Sequence, residues 1–137
     1  MKEILGSMNV SASAMRAQGT RLRVISENLA NASSTSEVPG GDPYRRKTIS
    51  FANVLDKVSQ EERVVVRKIG EDPSAFRLTH DPSNPAADAQ GNVKLPNVNV
   101  LMELADMREA QRSYEANVQM IDQAKSLVLR TVELLRS

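Results

Sequence analysis

The sequence contains no cysteine, no tryptophan and a single histidine, and only four of its 137 residues are Phe or Tyr. The absence of cysteine excludes disulfides, thiolate metal sites and thiol nucleophiles. Aromatic rings supply much of the buried area in a compact core. A chain this poor in them must build its contacts from Leu, Val, Ile, Met and Ala, the residues of helix–helix contacts.

Long apolar runs are absent as well. The N-terminus lacks the 7–15-residue apolar stretch of a cleaved secretory signal, and no segment approaches the ~18 consecutive apolar residues of a membrane span. The 18 Lys and Arg residues balance 17 Asp and Glu residues and are interspersed with them, so no strong field favours nucleic acid or a membrane surface. The one dense basic run, Arg45-Arg46-Lys47, is predicted to be a solvated turn beside a strand.

Helical periodicity covers the first segment, residues 1–32. Large apolar residues recur every seven positions there, which is typical of a helix that packs against other helices. This row contains Met8, Met15, Leu22 and Leu29. A neighbouring row, Leu5, Ala12, Gly19 and Ser26, is mostly small and would let another helix approach closely.

The middle segment, residues 33–98, begins in a cluster of Ser, Pro and Gly that ends the helix. It is predicted to hold a small β-rich region with strands at 44–51, 63–69 and 75–79. We expect a short helical turn at 53–60 and irregular structure from Asp81 to Pro96. A sheet this small buries little area by itself, so it should lean on the helices.

The last segment, residues 99–137, has no Gly or Pro and predicts a second helix of roughly 55 Å. One heptad row holds Met107, Tyr114, Ile121, Val128 and Leu135, and its predicted partner row holds Leu104, Val118 and Val132. The sequence thus predicts a mainly α fold, in which long N- and C-terminal helices pack as a coiled-coil-like pair beside the small β-rich middle.

Apolar residues encircle the end of this second helix, at Leu127 to Leu129, Val132, Leu134 and Leu135. A helix that is apolar on most sides must be covered on most sides, and the chain offers one comparable helix to cover it. We therefore expect other subunits to supply the cover. The alternative is a frayed end that happens to be rich in Leu.

Catalytic constellations are missing, and we predict no catalytic, cofactor-binding or metal-binding residue. His80 stands alone before the predicted turn at Asp81-Pro82, without the second ligand or the triad context that chemistry requires. Glu103, Asp106 and Glu109 are expected to form a solvated or subunit-facing surface of the second helix. An enzyme that uses His80 stays an open but disfavoured hypothesis.

Two segments resemble the flagellar rod, hook and axial protein family. The first is AMRAQ at 14–18 followed by RLRVISENLANA at 21–32. The second runs from DPSNPAADAQGNV at 81–93 through LPNVNV at 95–100 and RSYEAN at 112–117 to the apolar end at 125–135. The length of the chain is similar to that of the proximal-rod members. Hook and distal-rod members are longer, because they carry larger middle domains. Asn92 departs from the pattern, which favours an aromatic residue there.

The resemblance implies a structural subunit of the proximal rod in the basal body of the bacterial flagellum. Such a subunit leaves the cell by type III export without signal cleavage and assembles in the periplasm. The implied partners are the other proximal and distal rod proteins, the MS-ring protein and the rod adaptor protein, besides self-association in a helical assembly. The terminal helices would line the export channel and transmit torque for motility.

The predicted subunit contacts lie on the two terminal helices. They are Met8, Met15, Leu22, Leu29, Asn31, Tyr114, Asn117, Val118, Ile121, Leu127, Val128, Leu129, Val132 and Leu135. The competing hypothesis is a soluble helical adaptor or chaperone, which would bind partner helices without polymerising.

Overall fold

A computed structural model describes residues 1–137 and contains two long helices and four strands. Helix α1 spans Lys2–Ala30 and helix α2 spans Val100–Arg136, close to the predicted bounds. They hold 29 and 37 of the 137 residues, so the mainly α prediction is confirmed in its coarse form. The coiled-coil geometry of the pair stays a prediction.

The four strands form two separate two-stranded sheets in the middle of the chain. Strands β1 (Lys47–Leu55) and β2 (Glu62–Glu71) pair with each other, and β3 (Arg77–His80) pairs with β4 (Asn92–Leu95). The three predicted strands exist, with shifted ends. The helical turn predicted at 53–60 is shorter than expected, because β1 continues to Leu55. One turn follows, in which the Gln60 N–H donates to the Asp56 carbonyl and the Asp56 carboxylate accepts hydrogen bonds from the N–H groups of Val58 and Ser59.

Strand β4 lies in the stretch that was predicted to be irregular. It runs antiparallel to β3, with His80 opposite Asn92 and Arg77 opposite Leu95. Four residues between turns carry too little alternation to be recognised as a strand. Asn92, where the family pattern favours an aromatic residue, is the first residue of β4, and its backbone N–H donates to Asp88.

The chain divides into two units, and all three predicted segments contribute to both. Unit 1 contains Met1–Leu22, Ser50–Lys68 and Arg108–Ser137, and unit 2 contains Arg23–Ile49 and Ile69–Met107. The division of the chain at residues 33 and 98 follows element boundaries and stays a prediction about domains.

In unit 1 the two helices run antiparallel. A Cβ atom at Gly19 of α1 would lie 3.9 Å from the ring of Tyr114 in α2, and a cavity nearer the start of α1 is lined by Ile4 and Ser7 together with Met120 and Ala124. Later residues of α2 thus face earlier residues of α1, as in an antiparallel pair. A methyl group at residue 19 would make ordinary van der Waals contact with the tyrosine ring.

The most buried residues of these helices are smaller than the sequence predicts. On α2, Ala110 and Ala124 are 0% and 7% exposed, whereas Leu104 and Val132 of the predicted partner row are 47% and 40% exposed. The packing of this row against another helix stays a prediction. The buried row of α2 is offset by one position from the predicted one, since small residues allow the closest approach between elements.

The turn of the β1–β2 hairpin packs against the first half of α1. The Glu61 carboxylate lies 2.6 Å from where a Cβ atom at Gly6 would stand, and the Val64 N–H donates to the Ser13 hydroxyl at 3.1 Å. Gly6 and Ser13 lie seven residues apart and therefore on one face of the helix. The small face of α1 thus receives the hairpin, while its Met and Leu row stays half-buried.

A polar cluster joins α1 to α2 in unit 2. Asn28 near the end of α1 and Glu103 in the first turns of α2 are each 1% exposed. The Asn28 amide donates to Glu103 at 3.5 Å and to the Lys47 carbonyl at 2.9 Å. Its oxygen accepts the Lys47 N–H and the Tyr44 hydroxyl. Both buried side chains are therefore hydrogen-bonded, as burial of polar groups requires.

Arg46 is the charge partner of Glu103. Its Nε donates to the Glu103 carboxylate, and its other nitrogens lie 3.3 Å from Asp72 and 3.9 Å from Asp106. Burial alone would lower the pKa of Arg46, but the hydrogen bonds and charges of Glu103 and Asp72 outweigh it and raise the pKa. The prediction that Glu103 lies on a surface is therefore wrong, because its carboxylate is held inside by a cation from a distant segment.

The basic run is not a solvated turn either. Arg45 donates to the carbonyls of Asp72 and Ser74 and stacks on the Phe76 ring at 4.1 Å. The Lys47 amine lies 2.8 Å from the carboxylate of Glu27, and the hydrogen bond between them raises the pKa of Lys47. Each cation of the run thus has a partner within unit 2.

We expect Ala110→Leu to lower the free energy of unfolding by about 1–3 kcal/mol, because the larger side chain has no room beneath the 0% exposed Cβ. Ala116→Leu is the matched control, since residue 116 lies on the exposed side of the same helix. Urea unfolding followed by circular dichroism measures both variants. Equal stability of the two would contradict the placement of Ala110.

We expect Glu103→Gln to cost about 2 kcal/mol of stability, because hydrogen bonds to charged groups contribute about 1.5–3 kcal/mol and the amide cannot offset the charge of Arg46. Glu115→Gln, at an exposed position of α2, should stay within about 0.5 kcal/mol of the parent. Urea unfolding measures the free energy of unfolding of both variants. An effect at residue 103 no larger than that at residue 115 would rule out the cluster as a source of stability.

Acid should weaken unit 2 through Asp72. Hydrogen bonds from Ser74 and the charge of Arg46 hold the pKa of Asp72 below its ordinary 3.8 in the folded chain. The unfolded chain therefore binds the proton first as the pH falls, and the stabilisation present above pH ~4 is lost below it. Asp72→Asn removes this contribution, so its stability should change less between pH 6 and pH 3, about the range in which carboxylates titrate. If the melting temperatures of the parent and of Asp72→Asn fall by the same amount between pH 6 and pH 3, Asp72 is not the source of the acid sensitivity.

Candidate assembly surface

The candidate site is the set of apolar residues that the fold leaves uncovered. On α1, all four residues of the predicted row, Met8, Met15, Leu22 and Leu29, are half-buried. None of them is among the fully buried side chains, which on α1 include Ala17, Val24 and Ile25. The row thus lies beside the internal contacts and keeps part of its apolar surface accessible.

Asn31 has a local role as well. Its amide donates to the Glu27 carbonyl at 2.9 Å, and its oxygen accepts the Ser34 hydroxyl at 3.0 Å. These bonds satisfy groups where α1 ends, as polar side chains at helix termini commonly do. A contact with another subunit at Asn31 would add to this local function.

Four candidates on the central part of α2 are half-buried: Tyr114, Asn117, Val118 and Ile121. Tyr114 already contacts α1 at Gly19, and the Asn117 amide donates to the Ser113 carbonyl one turn back at 2.8 Å. Part of the surface of each of these side chains is therefore already covered within the chain.

The end of α2 is different, because most of its apolar side chains are exposed. The cavity formed by both helices is lined by Glu3 and Ile4 of α1 and, on α2, by residues up to Leu127. Leu127, Leu129, Val132, Leu134 and Leu135 are 50%, 54%, 40%, 76% and 78% exposed, and Val128 is half-buried. The nine residues from Val128 to Arg136 correspond to about 13 Å of helix. A well-formed helix end with this much exposed leucine marks an interaction surface.

A second exposed apolar cluster was not predicted. It lies in unit 2 around the first turns of α2, where Val100, Leu101, Met102 and Leu104 are 44–79% exposed. The sequence signal was present in the run Val100-Leu101-Met102, since three consecutive large apolar residues cannot all face inward from a helix. A cavity of about 400 Å³ adjoins it, lined by residues that include Arg77, Val98 and Leu101.

Groups that could carry chemistry stay apart. His80 is exposed on β3 and stands opposite Asn92, and no group of three His, Asp or Glu side chains is placed to hold a metal ion. Neither long helix is apolar enough over 18 residues to cross a membrane. The uncovered apolar surfaces are thus the features of the chain that point to a function.

Comparison with known proteins matches both ends of the chain. Residues 8–36 match the model of the flagella basal body rod protein family, and residues 89–134 match that of the flagellar basal body rod FlgEFG protein C-terminal family. These two regions contain most of α1 and α2. They include the first segment on which the sequence resemblance rests and the second segment from residue 89 to residue 134.

Full-length relatives agree with these matches. The chain is 53% identical to the flagellar basal-body rod protein FlgC of Agrobacterium fabrum over 100% of its own length and 99% of that protein. It is 40% identical to the proteins of that name from Yersinia enterocolitica and Bacillus subtilis, over 96% and 93% of the chain and 97% and 95% of the relatives. The chain therefore belongs to the flagellar basal-body rod protein FlgC family, and it is a structural subunit of the flagellar basal body rod rather than an enzyme.

Proposed function

We propose that this rod subunit assembles through its two terminal helices, which pack side by side with those of neighbouring subunits in a coiled-coil-like arrangement. The observation that carries this proposal is the uncovered end of α2, where Leu134 and Leu135 are more than three-quarters exposed. An isolated chain gains nothing from ordering such residues, whereas neighbours in an assembly would bury them. Family membership favours this proposal over a soluble adaptor that does not polymerise.

The contact surface we propose consists of the candidates from the sequence. The half-buried members, Met8, Met15, Leu22, Leu29, Asn31, Tyr114, Asn117, Val118, Ile121 and Val128, would complete their burial against neighbours, and the exposed members, Leu127, Leu129, Val132 and Leu135, would contribute most. At about 25 cal/mol per Å², each few hundred Å² of apolar contact contributes several kcal/mol. Several such contacts per subunit would hold a rod together without covalent bonds.

We further propose a place for the subunit in the proximal part of the rod, in the periplasm, after export without a cleaved signal. Its partners there would be other proximal and distal rod proteins, the MS-ring protein and the rod adaptor protein, besides copies of itself. The helices of many subunits would form the wall of the export channel and pass torque along packed, rigid elements. The names of the relatives, which are all rod proteins, and the resemblance of the two terminal segments support this location.

Replacing the two most exposed leucines tests the proposal. We expect Leu134→Glu with Leu135→Glu to leave the free energy of unfolding of the purified chain within about 0.5 kcal/mol, because exposed side chains contribute little to it. Assembly should fail, since each buried leucine is worth about 1.5–3 kcal/mol and a carboxylate would be buried in its place. The measurements are swimming in soft agar and electron microscopy of isolated basal bodies.

The matched control is Ala89→Glu, which adds the same charge at an exposed loop position and should support normal swimming. Rods of normal length in the double variant would contradict a role for the α2 end in assembly.

A further inference from the structure

A cavity between α1 and β2 in unit 1 contains two arginines and no carboxylate. Its volume is about 280 Å³, and its lining includes Arg16 and Thr20 of α1 and residues 63–66 of β2. The remaining lining residues, Ser13 and Ala17, are uncharged, so no Asp or Glu contributes to it. Two cations that share one cavity repel each other. An anion bound between them would offset this repulsion.

Arg16 has no acidic neighbour on its own helix. Charged side chains pair along a helix with residues three or four positions away, and at Arg16 these positions hold Ala12, Ser13, Gly19 and Thr20. Its side chain is exposed and takes part in none of the ion pairs of the chain. The guanidinium group of Arg16 is therefore available to an external anion.

Arg63 is only partly compensated. One terminal nitrogen of its guanidinium group lies 3.3 Å from the Asp56 carboxylate, whereas its Nε is buried and has no acceptor. A buried donor without an acceptor is costly. Since Arg63 lines the cavity, an oxygen atom bound there would supply the missing acceptor.

The backbone of β2 adds a neutral donor. The Val64 N–H donates to the Ser13 hydroxyl at 3.1 Å and therefore faces α1. Alternate residues of a strand direct their N–H groups to the same side, so the Val66 N–H faces this helix too. The Ser13 hydroxyl is already used, because it also donates to the Val10 carbonyl at 2.7 Å. Guanidinium and backbone N–H groups are the donors that bind carboxylates and phosphates in proteins.

We propose that this cavity binds a small oxyanion, a phosphate or a carboxylate group, between the guanidinium groups of Arg16 and Arg63. The bound group joins α1 to the β1–β2 hairpin, because the two arginines belong to these two elements. Its source is free phosphate or the carboxylate of an Asp or Glu side chain on a second copy of the chain. Both sources present the same oxygen atoms to the same donors.

Titration of the dilute, ¹⁵N-labelled chain with inorganic phosphate at constant ionic strength tests the site. The NMR signals of the Val66 amide and the Arg63 Nε–H should shift and saturate. Arg16→Gln should raise the dissociation constant about tenfold or more, the effect of losing a hydrogen bond to a charged group. Arg63→Gln should do the same, and Arg16→Gln carries the test alone if the loss of the Asp56 partner unfolds that variant. Arg108→Gln, at an exposed position of α2 outside the cavity, should bind as the parent does.

Concentrating the chain in chloride buffer without phosphate identifies the source. If a second copy supplies the carboxylate, the same two signals shift as the protein concentration rises, and Arg16→Gln abolishes the shift. If free phosphate is the ligand, these signals do not depend on protein concentration. Signals that shift in neither titration, or that respond equally in the parent and in Arg16→Gln, would overturn the proposal.

Discussion

The carboxylate of Glu103 is the group on which the arrangement of unit 2 depends. Removing a charge from water costs several kcal/mol even in a relaxed protein, and Glu103 is 1% exposed. The chain meets this cost with partners from two other segments, Asn28 on α1 and Arg46 ahead of β1. The carboxylate is well paired in one arrangement of the three segments, so it selects that arrangement. Removing one partner of such a buried pair is strongly destabilising, because it leaves the other charge without compensation.

The same cluster connects the local structure to the ends of the helices. Asn28 binds both backbone groups of Lys47, and Asp72 binds Arg46 through side chain and backbone. The end of α1 and the start of α2 are therefore fixed by polar contacts instead of by a large apolar core. Apolar residues at the start and at the end of α2, such as Leu101 and Leu134, are exposed. In a rod subunit such residues are available for contacts with other chains.

How much of this fold could be predicted depends on how local each signal is. The helices follow from a heptad pattern that lies within each segment, so α1 and α2 were predicted to within about two residues. The buried rows were not predicted, because Gly6, Ser13 and Ala110 are small and their burial depends on the distant elements that pack on them. Glu103 was misplaced for the same reason, since its partners lie 57 and 75 positions away in the sequence. The exposed end of α2 was predicted from its composition alone, since apolar residues on every side of a helix cannot all be covered by one neighbour.

Hydrogen exchange of the amides in residues 127–136, compared between the free chain and isolated basal bodies, tests the central claim most directly. The apolar side chains from Leu129 to Leu135 are at least 40% exposed in the free chain, so the amides of this segment should exchange faster than those of the buried part of the helix. In basal bodies they should become among the most protected in the chain, because neighbouring subunits cover the leucines. Strong protection already present in a proven monomer, or exchange that stays equally fast after assembly, would contradict the account.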